Sequence, residues 1–196
     1  MFVMRILKSI SPVIICLFTV VLIVVLLTAC NTLGLAPKKA KPPLEVSAPA
    51  FEGGSTIPVK YTCDGEDISP ELNWKRAYSS RTKSFAVVVF GLDVVSGLSY
   101  HWLVYNIPPE INRFPEGISG QELTAMGATQ LKNSFGKTGY SGPCPPEDSK
   151  HHYLFRVYRI DRILDLPVDA TISQLLEAIE DHGTALGSTS GTYRRQ

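Results

Sequence analysis

Three groups of polar residues in this chain have types and spacing that could do chemistry. The longest is GYSGPCPPEDSKHHY, Gly139 to Tyr153, where two glycines, three prolines and a cysteine lead into two histidines and a tyrosine. A second pairs Asp93 with His101, either side of the loop Val94 to Tyr100. The third runs from Tyr61 through Cys63, Asp64 and Gly65 to Ser69-Pro70 and Trp74. Imidazole N–H, phenol O–H and backbone N–H groups donate hydrogen bonds, and an oxyanion only accepts them, so the histidines and Tyr153 suit a small oxyanion. Cys144 with His151 could instead be the nucleophile and base of a hydrolase or transferase. Against that, Cys144 sits between Pro143 and Pro145, with no helix N-terminus beside it to lower its pKa. His101, His151, His152 and Asp93 are zinc-type ligands, but neighbouring histidines on a strand point to opposite faces and cannot easily share an ion. No catalytic residue, resident metal or cofactor is expected.

The elements that must hold these groups read mainly as strands. Ser84 to Phe90 (SFAVVVF) is a β-branched and aromatic run suited to a buried central strand. His101 to Ile107 (HWLVYNI) alternates, which puts His101, Leu103, Tyr105 and Ile107 on one face and Trp102, Val104 and Asn106 on the other. Pro108-Pro109 ends it. Tyr153 to Ile160 alternates as well. One helix is clear: Thr171 with Gln174 forms a capping-box pattern, and Ile172, Leu175, Leu176 and Ile179 make one apolar stripe. Gly183 follows, where a left-handed cap would end the helix. The glycine-rich ALGSTSGTYRRQ carries no assignable period. The expected fold is a single α+β domain dominated by antiparallel sheet, with binding groups in its Gly- and Pro-rich loops.

The front of the chain concerns location. Arg5 and Lys8 precede an apolar stretch from Ile10 to Leu27, as in a secretory signal or membrane anchor. It ends in Leu27-Thr28-Ala29-Cys30, which resembles a bacterial lipobox. Residues 1–29 are then a lipoprotein signal peptide, with Cys30 the lipidated N-terminus held in the membrane by its acyl chains. Residues 30–45 form a Pro/Lys-rich linker and residues 46–196 the domain. An uncleaved signal anchor is the alternative; both place the domain on the outer side of the cytoplasmic membrane, in the periplasm or at the cell surface. Losing the signal leaves 17 basic and 18 acidic residues, which gives no long-range attraction for nucleic acid. Cys63 and Cys144 are then the only domain cysteines. In an exported protein such a pair suggests a disulfide, the alternative being two free thiols.

Three ordered blocks make the chain similar to a known family. IPVKYTCDGEDISPELNW (Ile57 to Trp74), SFAVVVFGLD with HWLVYNIP (Ser84 to Pro108) and GYSGPCPPEDSKHHYLFRVYRID (Gly139 to Asp161) resemble the phosphatidylethanolamine-binding proteins, in their bacterial Raf-kinase-inhibitor-like branch. The resemblance implies a large antiparallel sheet packed on a smaller one with a few peripheral helices, and a small pocket for phosphate, phosphoryl headgroup or carboxylate. It places His101 and His151 there as donors, with Tyr153 supplying a hydroxyl. Gly142 and the Cys144-Pro145 turn would form the wall, and Asp93 the surviving acid. It also implies a kinase or protease as a class of protein partner, although a cytoplasmic kinase is hard to reconcile with an exported domain. A surface interaction protein with a vestigial pocket is the remaining reading. The chain departs from the family where DPDAP is expected: Gly91 to Val95 reads GLDVV, lacking the first acid and both prolines. The family HRY is here His151-His152-Tyr153.

Overall fold

The computed structural model describes residues 45–75, 81–94 and 97–196, the side chains of Val94, Ala185 and Leu186 excepted. The signal, Cys30, nearly all of the linker and Val95 lie outside these residues. Among the described residues no helix is long and apolar enough to cross a membrane.

Two antiparallel sheets make the domain. The small one joins β1 (Val46–Ser47), β2 (Leu72–Trp74) and β5 (Arg113–Phe114) in the order β1-β2-β5. The large one contains β3 (Ser84–Val94), β4 (Gly97–Ile107), β6 (Thr129–Gln130), β7 (Lys150–Ile160) and β8 (Gly183–Arg194), ordered β6-β4-β3-β7-β8. Helices α1 (Gly120–Ala125) and α2 (Ile172–His182) both begin in complete capping boxes, on Ser119 with Glu122 and on Thr171 with Gln174. The mainly β, two-sheet expectation holds.

Both faces of β3 are buried, which is why SFAVVVF shows no polar alternation. Phe85, Val87 and Val89 face the small sheet with Leu72, Trp74, Phe114 and Phe155. Ala86, Val88 and Phe90 face α2 with Leu175 and Ile179. Each fully buried side chain of this kind is worth about 1.5–3 kcal/mol relative to exposure.

The simple alternation of β4 fails at two bulges. Val87 pairs with Val104 but Phe85 with Ile107, so one extra β4 residue is accommodated near Asn106, whose φ is +56°. The Asn106 amide donates to the Leu164 carbonyl oxygen and accepts from the Leu164 N–H, which offsets the cost of that backbone. Ile107 consequently packs with Trp102 and Val104, not with Leu103 and Tyr105 as alternation required. At the other end Val89 pairs with Trp102 and Phe90 with Tyr100, leaving His101 as the extra residue. Its ring contacts Tyr153, on the small-sheet face, instead of following Leu103. Bulges re-aim side chains in this way.

Two further expectations change at the C-terminal end. Gly183 is extended (φ −110°, ψ 163°) and starts β8, so it is no left-handed cap. Glycine is needed there because a Cβ would come within 2.4 Å of the Ile179 carbonyl oxygen. Most of the unassigned tail belongs to the twelve-residue strand β8, paired along β7. Gly191 within it lets Ile57 approach, since a Cβ would stand 2.5 Å from Ile57 Cγ1.

Candidate functional site

A cavity of about 540 Å³ opens where the end of β3 and the starts of β4 and β7 meet the 135–149 segment. It is lined by Asp93, His101, Cys144, Pro145, His151 and Tyr153, all expected from sequence, and by Ser99, Phe135, Pro146 and Ser149, which were not. Gly142 is the one expected wall residue outside that lining. It is buried behind the cavity, where its N–H donates to Asp67 Oδ1 at 2.6 Å and a Cβ would stand 2.3 Å from the Tyr61 carbonyl oxygen.

His101 forms the floor and is only 3% exposed. Its Nδ1 lies 2.7 Å from the Ser141 carbonyl oxygen. A carbonyl oxygen only accepts, so Nδ1 carries the proton of the neutral ring and Nε2 keeps a lone pair. Nε2 is 3.2 Å from Ser99 Oγ, whose hydroxyl can donate to it. Burial lowers the His101 pKa, against upward pulls from the Ser141 and Gly142 backbone and from Asp67. The simple expectation of His101 as a donor to an anion therefore changes: in the neutral protein its one N–H is already spent on Ser141.

A residue that sequence reasoning missed fixes this geometry. Buried Asn133 donates through Nδ2 to Ser141 Oγ (2.9 Å) and to the Gly139 carbonyl oxygen (3.2 Å). Its Oδ1 accepts from the N–H groups of Phe135 (3.0 Å) and Lys137 (3.1 Å). The segment is closed against β4 by the Ser141 N–H donating to the His101 carbonyl oxygen at 3.0 Å. Phe135 is thereby held over the imidazole, ring centroids 4.9 Å apart, with 54% of its surface still open. Asn133 carries no periodic signal, and only long-range contacts show its role.

Cys63 and Cys144 are joined in a disulfide, Cα atoms 5.4 Å apart. The Cys63 N–H also donates to the Pro143 carbonyl oxygen at 3.1 Å. The far end of the same wall is tied to the C-terminus, where the Asp148 N–H donates to the Arg195 carbonyl oxygen at 3.2 Å. The nucleophile reading of Cys144 needs a thiolate, and in this state the sulfur is covalently occupied.

Tyr153 stands on the wall side, its ring perpendicular to His101 with centroids 5.2 Å apart. Burial raises its pKa above the ordinary phenol value, a backbone bond from Cys144 offsetting part of this. Its hydroxyl stays protonated and able to donate at neutral pH. Asp93 Oδ2 accepts from the His152 backbone N–H at 2.5 Å and lies 2.7 Å from His152 Nδ1. Those bonds hold its carboxyl below the usual carboxylate range. The histidine pair thus divides its work, His151 on the cavity and His152 on Asp93, as opposite-facing neighbours must. Among the described residues no three His, Cys, Asp or Glu side chains are grouped to hold a metal ion.

Taken together, the fold is that of a mainly β domain with two antiparallel sheets and a cavity at the strand ends of the larger one, where polar side chains meet an apolar lining. Residues 47–194 match the family described as Phosphatidylethanolamine-binding protein, and the chain belongs to that family. A UPF0098 protein of Methanothermobacter thermautotrophicus is 39% identical over 146 residues, covering 74% of this chain and 95% of its own length. The putative lipoprotein LppC of Mycobacterium tuberculosis is 35% identical over 158 residues, 80% of this chain and 75% of its own. Among solved structures, a putative phosphatidylethanolamine-binding protein homologue, CT736 of Chlamydia trachomatis, superposes with a TM-score of 0.70 at 35% identity, covering 80% of this chain and all of its own. YbcL of E. coli gives the same TM-score at 28% identity, over 79% of this chain and 99% of its own.

Proposed function

We propose that this protein is an exported, membrane-anchored binding module whose cavity takes a small oxyanion: phosphate, a phosphoryl headgroup or a carboxylate. The observation that carries this reading is the convergence of Ser99, His151 and Tyr153 around His101 in one cavity of about 540 Å³. Hydroxyl and imidazole donors line it, and the disulfide-tied 143–146 wall fixes their spacing before any ligand arrives. Pre-set donors reduce the ordering cost of binding. The location in this reading rests on the lipobox-like Leu27 to Cys30 and is supported by a relative named as a putative lipoprotein. The enzyme alternative loses its thiolate to the disulfide.

Titration of the oxidised protein with phosphate, phosphoethanolamine and acetate tests the reading. His151→Ala and Tyr153→Phe should each weaken binding by about 1.5–3 kcal/mol, the usual worth of one hydrogen bond to a charged group. Unchanged affinity in both variants would sink the proposal.

A further inference from the structure

Ser99 and His101 lie two residues apart on β4, and both line the cavity with 3.2 Å between Oγ and Nε2. Because the Ser141 carbonyl oxygen accepts from Nδ1, Nε2 keeps its lone pair and the Ser99 hydroxyl is the donor. A serine whose proton points at an imidazole, itself oriented by a third group on its far nitrogen, is the arrangement of an activated nucleophile. Room for this contact depends on the neighbouring strand. A Cβ on Gly91, the cross-strand partner of Ser99, would stand 2.4 Å from Oγ and 3.0 Å from Nε2. The glycine that stands where the family pattern has its first acid is therefore what admits the pair.

We propose that Ser99 and His101 are a nucleophile and base that cleave small carboxylic esters through an acyl-serine. The pair stands on its own contact, and it rests on the oxyanion reading only for the donors that hold the intermediate. Ser99 Oγ attacks the ester carbonyl carbon as its proton passes to Nε2, leaving a tetrahedral oxyanion beside an imidazolium. The bond to the leaving alcohol breaks as Nε2 returns that proton to the alcohol oxygen. Water repeats the two steps on the acyl-serine, releasing the acid and restoring the Ser99 hydroxyl.

The surroundings fit each step. Burial lowers the His101 pKa, so the ring is neutral and able to accept a proton at neutral pH, while the Ser141 and Gly142 backbone and the Asp67 charge favour the imidazolium that forms. The Tyr153 hydroxyl accepts from the Cys144 backbone, which leaves its own proton free for the cavity. Tyr153 and His151 are thus the donors for the oxyanion, and donors set before the reaction are a large source of rate. Asp93 lines the same cavity, but its Oδ2 is taken up by the backbone N–H and ring of His152. Phe135, Pro145 and Pro146 supply apolar surface for an acyl group.

The experiment incubates the full, disulfide-bonded chain with p-nitrophenyl acetate or with a fluorophosphonate and maps the modified residues by mass spectrometry, with inorganic phosphate affinity measured in parallel. Acetyl and phosphonyl groups should both fall on Ser99, with release of p-nitrophenolate, and excess phosphate should protect Ser99 by occupying the same donors. Ser99→Ala should abolish the adduct, and His101→Gln should slow modification of Ser99 about a hundredfold or more, the low end of what a positioned base contributes. Mapping on the parent protein decides the matter even if a variant fails to fold. Adducts on lysines or tyrosines with Ser99 unmodified, while phosphate still binds, overturn this proposal and leave the oxyanion reading standing. Equal rates at Ser99 in the parent and in folded His101→Gln overturn His101 as the base, and the proposal with it. A modified Ser99 without phosphate binding upholds the pair and removes the oxyanion reading; neither modification nor binding overturns both.

Discussion

Cys144 is bonded to Cys63 across a sequence separation of 81 residues, and the same Cys144 is a wall of the cavity that His101 floors. One covalent link therefore serves both the fold and the site. Closing a loop of that length removes enough freedom from the unfolded chain to stabilise the native state by about 4 kcal/mol in the chain-entropy account. Reduction, or Cys63→Ser with Cys144→Ser, should lower the chemical unfolding midpoint by a corresponding amount. Anion affinity should fall with it, because the 143–146 wall is then tied to residue 63 by the Cys63 N–H bond to Pro143 and no longer by a covalent link. Denaturation curves with and without reductant measure the first effect and ligand titration the second. Equal midpoints in the two redox states would show that the link does not support the domain.

His101 should make the domain sensitive to acid. Its folded pKa is lowered, so between that value and the unfolded value near about 6.5 the unfolded chain binds more protons than the native one. The sign follows: stability is highest above about 6.5 and declines as the pH drops below it, by at most about 1.4 kcal/mol per pH unit for one proton. Asp93, with its carboxyl held low by His152, adds a loss of stability only at still lower pH, below the ordinary carboxylate range. Urea unfolding at a series of pH values should show the slope near pH 6, and His101→Gln should flatten it even though that variant starts less stable. A slope that survives the substitution would assign it to another group.

Much of this architecture is written locally in the chain, and what is missing from the local signal has a common cause. The buried run SFAVVVF, the capping box at Thr171 and the proline-stiffened 143–146 wall each rest on neighbours in sequence. The face that His101 occupies does not. It follows from a bulge opposite Val89 and Phe90, a long-range register that alternation within HWLVYNI cannot encode. Asn133 and Phe135 escaped for the same reason, since their roles exist only once residues 133–141 lie against β4. β8 was hidden because its glycines are chosen for close approach to Ile57 and Ile179, and that strips the strand of its β-branched signature. The tautomer of His101 needed the Ser141 carbonyl oxygen in place, so the residue was legible as part of the site while its polarity toward a ligand was not.

Gly91 and Ser99 form a pair that can be tested by exchange. They are cross-strand partners on β3 and β4, and a Cβ on Gly91 would stand 2.4 Å from Ser99 Oγ and 3.0 Å from His101 Nε2. The hydroxyl of Ser99 thus fills space beside the imidazole that a side chain at position 91 would otherwise claim, which accounts for glycine where the family pattern has an acid. Gly91→Ala alone should destabilise by about 1–3 kcal/mol through overpacking. In a Ser99→Ala background the cost should fall, giving a coupling of about 0.5 kcal/mol or more in a double-mutant cycle. Gly91→Asp in that background carries the test to the chemistry. A carboxylate beside Nε2 favours the protonated ring, so the His101 titration followed by NMR should move upward relative to the parent protein. An additive cycle with an unmoved His101 titration would show that Gly91 and Ser99 do not share this space.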